Sequence, residues 1–195
     1  MAEPRTPTPS AFARASAEVR GVRLRSDLAV EEIAAPEGLA PESLALAADV
    51  RPVQGDPESA SATGRFVLLH DPDAPHAWGG PWRIVCFAQA PLDTDIGSDP
   101  LLADVAWSWL VDALAAHRAG YHSASGTATK IISKGFGTLR DEGDGSQIEL
   151  RASWSPHAPL GAHVEAWAEL VCMLAGLPPG SEEIAVISTR RTMRG

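Results

Sequence analysis

Cysteine is scarce in this chain: two in 195 residues, Cys86 and Cys172, each inside an apolar run. One distant pair makes no disulfide framework, and no CxxC spacing is present to clamp a metal or run redox exchange. Buried free thiols are the expectation. Lysine is equally rare, since 14 of the 16 basic residues are Arg. With abundant Ala, Gly and Pro, that skew points to a GC-rich coding sequence rather than to a function. Positive charge as a whole is in deficit, with 25 acidic residues and a net charge of −9. This excludes a general affinity for nucleic acid or anionic lipid, because both need a positive face. Long apolar runs are missing too: none reaches membrane-spanning length, and the start MAEPRTPTPS has no hydrophobic signal core. A soluble cytoplasmic protein is expected. The phosphate loop GxxxxGK[ST], the dinucleotide fingerprint GxGxxG and the nucleophile elbow GxSxG are all absent.

What is present is organised around residues 65–90, RFVLLHDPDAPHAWGGPWRIVCFAQA. Two apolar runs, 65–69 and 82–90, suit a pleated, buried surface. Pro72, Pro75, Pro81 and the pair Gly79-Gly80 between them cannot continue a sheet ladder, so a bent, stiff loop is expected. That loop and its ends carry His70, Asp71, Asp73, His76, Trp78 and Trp82, the densest set of functional groups in the chain. Read as chemistry, His70, Asp71, Asp73 and His76 offer N and O ligands to a divalent metal. Read as structure, the carboxylates accept turn hydrogen bonds and the indoles cover an end of the core. No metal-site spacing is met, which favours structure.

Along the chain, residues 1–9 read as a disordered Pro/Thr-rich tail, residues 10–180 as one domain, and 181–195 as a tail. Within that tail, 183–188 is a candidate edge strand, and Arg190, Arg191 and Arg194 make a basic end. Ser10 is a candidate N-cap for a helix over 11–20, ended by Gly21. Strands are expected over 28–34 and 43–50, the second with Leu44, Leu46 and Ala48 on one face. Residues 51–64 read as a mobile loop. Asp99 and Pro100 open the strongest helix, 100–118, whose polar residues Asp104, Ser108 and Asp112 form one narrow stripe. Trp107 and Trp109 point about 200° apart on it, so this helix must touch neighbours on both sides, and Gly120 is expected to stop it. A strand over 126–137 follows. Residues 147–154 alternate, with Ile148, Leu150, Ala152 and Trp154 inward. The last helix, 161–175, buries Val164, Trp167, Ala168, Val171 and Leu174, and the run Gly176-Leu177-Pro178 stops it. The order α-β-β-β-β-α-β-β-α, with short links, predicts an α+β domain. Its mainly antiparallel sheet of about six strands would carry the helices on one face.

Lys130 and Lys134, four apart and followed by Gly135 and Gly137, are a second candidate ligand site for phosphate or carboxylate. The bland alternative is a solvated face. His117 at a helix C-terminus has a dipole explanation. No catalytic residue is assigned to Ser153, Ser155, His122, His157 or His163.

The stretches RFVLLHDPDAPHAWGGPWRIVCFA, ATKIISKGFG, RASWSP and HVEAWAELVCMLAGLPP together resemble an actinobacterial family catalogued as a domain of unknown function, number three thousand. The resemblance spans residues 10–180. It implies an actinobacterial cytoplasmic origin and brings no activity, cofactor or site residue. The element order is also similar to that of small α+β adaptors of the secretion-chaperone type, an analogy of topology alone. Two functions are expected from these readings. One is a non-enzymatic binding or adaptor protein that engages a protein partner or a second copy through Trp107, Trp109 and the loop indoles. The alternative is a small-molecule or metal-binding protein, or an enzyme, with its site between the 70–82 loop and strand 126–137. No cofactor is implied.

Overall fold

In the computed structural model, the described residues are 9–50, 62–97, 99–142, 145–177, 184–186 and 188–189. Residues 1–8 of the expected tail 1–9, most of the expected loop 51–64 and the basic end 190–195 lie outside them. In chain order the elements are α1 (Ala11–Arg20), β1 (Arg23–Arg25), β2 (Leu28–Ile33), β3 (Glu42–Val50), β4 (Thr63–His70), β5 (Trp82–Leu92), α2 (Thr94–Gly97), α3 (Leu102–Ala116), β6 (Tyr121–Ser133), a 3-10 turn (Gly137–Glu142), β7 (Gly145–Pro156), α4 (Gly161–Leu174), β8 (Ile184–Val186) and β9 (Ser188–Thr189). The main sheet runs β6-β7-β5-β4-β3-β2-β9. Its six long strands are antiparallel, and β9 joins β2 in parallel. A separate two-stranded ribbon pairs β1 with β8. This is the expected α+β architecture.

Alternation decides what each strand buries. Even-numbered positions of β3, β4, β5 and β7 point to one face: Leu44, Leu46 and Ala48; Phe66 and Leu68; Ile84, Cys86 and Ala88; Ile148, Leu150, Ala152 and Trp154. Under α1, α3 and α4 this face becomes the core. Helix α4 lies at the centre, with Val164, Ala166, Trp167, Leu170, Val171 and Cys172 fully buried, and meets β3, β4 and β5. It packs tightly over Gly64, where a Cβ would stand 2.5 Å from Val171 Cγ2 and 3.1 Å from the Trp167 ring.

Helix α3 touches both the sheet and α4, as its nearly continuous apolar circumference requires. Its start differs from expectation. Asp99 Oδ1 accepts from the Leu101 amide at 2.8 Å, one turn before the regular helix begins at Leu102. Its stop differs too. Arg118, at φ +55°, takes the left-handed cap position, and the Ala119 amide bonds to the Leu114 carbonyl at 2.8 Å, two residues before Gly120. Helix α4 ends as its sequence predicts: Gly176 is at φ +74°, and the Leu177 amide reaches the Cys172 carbonyl at 2.9 Å.

The strand expected over 126–137 is shifted. It covers 121–133, so Lys134 lies just past its end, and the two lysines do not share one strand face. Strand β6 takes the sheet edge and β7 the place beside β5. The composition explains the order: β7 is apolar on one whole face, whereas β6 is rich in Gly, Ser, Thr and Lys, which suit an edge.

Candidate functional site on the uncovered sheet face

Odd-numbered positions build the opposite face. The registers place them in rows: Ala45, Val67, Val85 and Ser153; Ala47, Arg65, Phe87 and Arg151; Asp49, Thr63, Gln89 and Glu149. One end of this face is covered. Ala45, Val67 and Leu69 form a small second core, with Ile33, Ala35, Ala40, Trp78 and Val85 packed on it. This explains why β4 reads as a continuous apolar run: at that end it is buried on both faces. It also gives the stiff loop a task. The loop is closed by the Asp71 amide on the Pro81 carbonyl at 2.9 Å and bends at Gly79 (φ +66°), folding Trp78 back over the sheet.

Among the described residues, the rest of the face is uncovered and concave. A recess of about 700 Å³ is lined by Ala47, Asp49, Thr63, Arg65, Val85, Phe87, Gln89 and Arg151. Its floor is apolar, through Ala47, Val85 and Phe87. Its rim offers donors in Arg65 and Arg151 and an acceptor in Asp49. Arg151 lies over the Phe87 ring, 5.6 Å from its centroid, and its Nε donates to Glu149 at 2.6 Å. A second recess of about 380 Å³ shares Val85 and Arg151 and adds Ser125, Gly126, Thr127 and Ser153.

Behind the second recess stands Arg83. Its Nη1 donates to the Ser123 carbonyl at 2.9 Å and Ser155 Oγ at 3.2 Å, and its Nη2 to Ser153 Oγ at 2.6 Å. Ser155 Oγ donates onward to the Trp78 carbonyl at 2.6 Å, which ties the guanidinium to the loop. All of these partners are neutral, and burial lowers the pKa of Arg83.

The structure separates the residues singled out from sequence. His70 is buried at the helix-covered end of the sheet, with Nδ1 2.6 Å from Glu42 Oε2 and its ring 4.1 Å from that of Trp82. Phe12 stacks beside both rings. Asp71 accepts from the Asp73 amide at 3.0 Å, a turn role, while Asp73 and His76 are exposed. Among the described residues, no group of three or more His, Cys, Asp or Glu side chains is placed to hold a metal. Trp78 and Trp82 end on opposite faces: Trp82 is packed against the main core and Trp78 against the second.

Lys130 donates to the Asp99 carbonyl at 2.6 Å, and Lys134 is exposed. Lys130 is level with Ile148 and Ala90, eight residues along β5 from Trp82, or about 26 Å. The 70–82 loop and the lysine end of β6 therefore lie at opposite ends of the sheet and form no common pocket. The loop does meet β6 at its other end: a Cβ on Gly79 would stand 3.1 Å from the His122 ring. Trp107 and Trp109 are half-buried, packed against the main core on one side. Trp107 lies against Gly126, where a Cβ would come within 2.6 Å of its ring.

Sequence reasoning missed Arg65, Arg83, Phe87, Arg151 and Ser153. The available signal was Val85 and Phe87, two large apolar residues on the face of β5 opposite the buried set. It also missed the contact of His117, at the end of α3, with Glu169 through Nε2 and with Glu165 at 3.5 Å through Nδ1. These two α4 glutamates link the helices.

A helix-backed antiparallel sheet whose other face is half roofed and half open defines the class: an α+β domain with an exposed sheet platform. The family model "Protein of unknown function (DUF3000)" matches residues 8–185, and the chain belongs to that family. No curated protein and no solved structure matches it. No helix among the described residues is long and apolar enough to cross a membrane.

Proposed function

We propose that this chain is a binding protein that holds a small, partly apolar ligand in the open recess of its sheet. One observation carries the reading: an apolar floor of Ala47, Val85 and Phe87 ringed by Asp49, Thr63, Arg65, Gln89 and Arg151, in a concavity of about 700 Å³. Ligand sites commonly combine that size, an apolar lining and a few convergent polar groups. The reading keeps the small-molecule alternative drawn from the sequence and moves its site from the loop and the lysines to the sheet face.

The test is binding of Nile red, a neutral fluorescent dye, to the full chain. Ala47→Trp fills the floor from a solvent-facing strand position and is expected to weaken binding at least about tenfold, as loss of a buried apolar contact does. Dye binding unchanged by Ala47→Trp overturns the reading.

A second observation favours a protein partner elsewhere. Ile132, Phe136 and Leu139, at the end of β6 and the turn after it, are 65%, 67% and 53% exposed. Large exposed apolar side chains close together in the chain are the composition of contact sites. Phe136→Asp separates the two readings. It is expected to abolish concentration-dependent association seen by light scattering while leaving dye binding in the recess intact. A wild-type chain that remains monomeric at high concentration removes the support for self-association.

A further inference from the structure

We propose that the second recess, at Ser125, Thr127, Ser153 and Arg151, is an oxyanion subsite: it takes the carboxylate or phosphate of a ligand whose apolar body lies on Val85 and Phe87. The proposal rests on the recess reading above and names the ligand's chemical class.

The argument is one of donors without acceptors. Ser153 Oγ accepts from Arg83 Nη2 at 2.6 Å, so its own hydrogen is directed elsewhere. Ser125 Oγ stands 3.4 Å from Ser153 Oγ, a long hydrogen bond in which either hydroxyl can donate, and Ser125 is exposed. Thr127 lies beside Arg151 across the β6–β7 pair and lines the same space. Three hydroxyl-bearing side chains and a guanidinium thus line about 380 Å³, with no carboxylate among the described lining residues. The carboxylate nearest in register, Glu149, sits in the next row and is held by Arg151 Nε at 2.6 Å.

Arg83 supplies the sign of the field. It is clamped by three neutral oxygens, so its charge is not cancelled locally and polarises Ser153 toward donation. Burial is the cause that lowers its pKa. Charge-assisted bonds to an oxyanion are the strong class of hydrogen bond, and this arrangement lacks only the acceptor. Since the two recesses share Val85 and Arg151, one amphipathic ligand can occupy both.

The experiment is an amide NMR titration of the full chain with three probes: inorganic phosphate, phenyl phosphate and benzoate. Saturable shifts are expected at Ser125, Thr127 and Ser153. Phenyl phosphate or benzoate should bind more tightly than inorganic phosphate, because each adds a ring to lie on Val85 and Phe87. Which of the two wins identifies the head group. Ser125→Ala with Ser153→Ala is expected to weaken binding about tenfold or more. If that double variant misfolds, Ser125→Ala alone serves, since its hydroxyl is exposed. Shifts that do not saturate, or an affinity that is the same in the alanine variant, overturn the subsite. If Nile red still binds in an Ala47-sensitive way while all three anions fail, only the subsite falls. If the dye also fails, the recess reading falls with it.

Discussion

Gly64→Ala is the sharpest test of how α4 is seated. Strand β4 presents Gly64 to the helix layer, and the added methyl would stand 2.5 Å from Val171 Cγ2 and 3.1 Å from two atoms of the Trp167 ring. Neither neighbour can swing aside, because both side chains are fully buried. Overpacking a close-fitted core costs about 1–3 kcal/mol. Replacing a strand glycine returns about 0.5–1 kcal/mol through the unfolded chain. The first distance is well inside van der Waals contact, so the cost belongs in the upper part of its range. The net loss is then about 2 kcal/mol, or about 4–8 °C in Tm for a chain of this length. Urea denaturation is the assay, with a double-mutant cycle to locate the cause. Val171→Ala alone costs about 2 kcal/mol by leaving a cavity. If the clash is the mechanism, that cavity accepts the new methyl, and the double variant is more stable than the sum of the singles by at least about 1 kcal/mol. A strictly additive cycle, or a Gly64→Ala protein as stable as wild type, refutes the reasoning.

Two further outcomes follow from the same coordinates. His163 is fully buried; its Nδ1 accepts from Trp154 Nε1 at 3.0 Å, so its Nε2 carries the proton toward the His157 carbonyl at 3.0 Å. Burial, the largest cause, pushes its pKa below the ordinary 6.5, opposed by the hydrogen bond to the His157 carbonyl and by Glu18. The unfolded chain therefore binds this proton first: stability is intact above pH 6.5 and declines as pH falls from there toward the folded-state value. His163→Gln is expected to flatten that decline in a urea series from pH 7.5 to about 5, and an unchanged slope would assign the acid sensitivity elsewhere. Arg118 holds a left-handed backbone at φ +55°. Such a residue pays about 1–2 kcal/mol that glycine avoids, so Arg118→Gly should raise unfolding stability by about 1 kcal/mol. A loss of stability in the same urea assay would mean that the side chain contributes more than its backbone costs.

Much of the fold is legible before any coordinates. The period-two pattern of 147–154 places Ile148, Leu150, Ala152 and Trp154 inward, and all four are buried. The apolar girth of α3 requires neighbours on two sides, and it has the sheet and α4. The Gly176 stop of α4 and the Ser10 cap of α1, where Ser10 Oγ accepts from the Ala13 amide at 3.0 Å, are local chemistry and come out as read. The site is another matter. The histidines and carboxylates of the 70–82 loop looked like chemistry because they are dense in sequence. The fold scatters them instead: His70 into the core with Trp82, Asp71 into a turn, Asp73 and His76 to solvent.

What depends on neighbours a few residues apart was readable from the chain alone: which segments are strands or helices, which face of each is apolar, and the cap of α1 and the stop of α4, though not the ends of α3 or β6. Period and capping are short-range geometry, so a single chain carries them openly. The tertiary structure alone decided that β7 comes between β5 and β6, that Trp78 roofs the far face, and that Arg83 meets Ser123, Ser153 and Ser155 across separations of 40, 70 and 72 residues. Alternation states which face a residue takes but not which strand lies beside it. The partners of a platform built from five strands are fixed only when registers are chosen, by the packing of all of them at once.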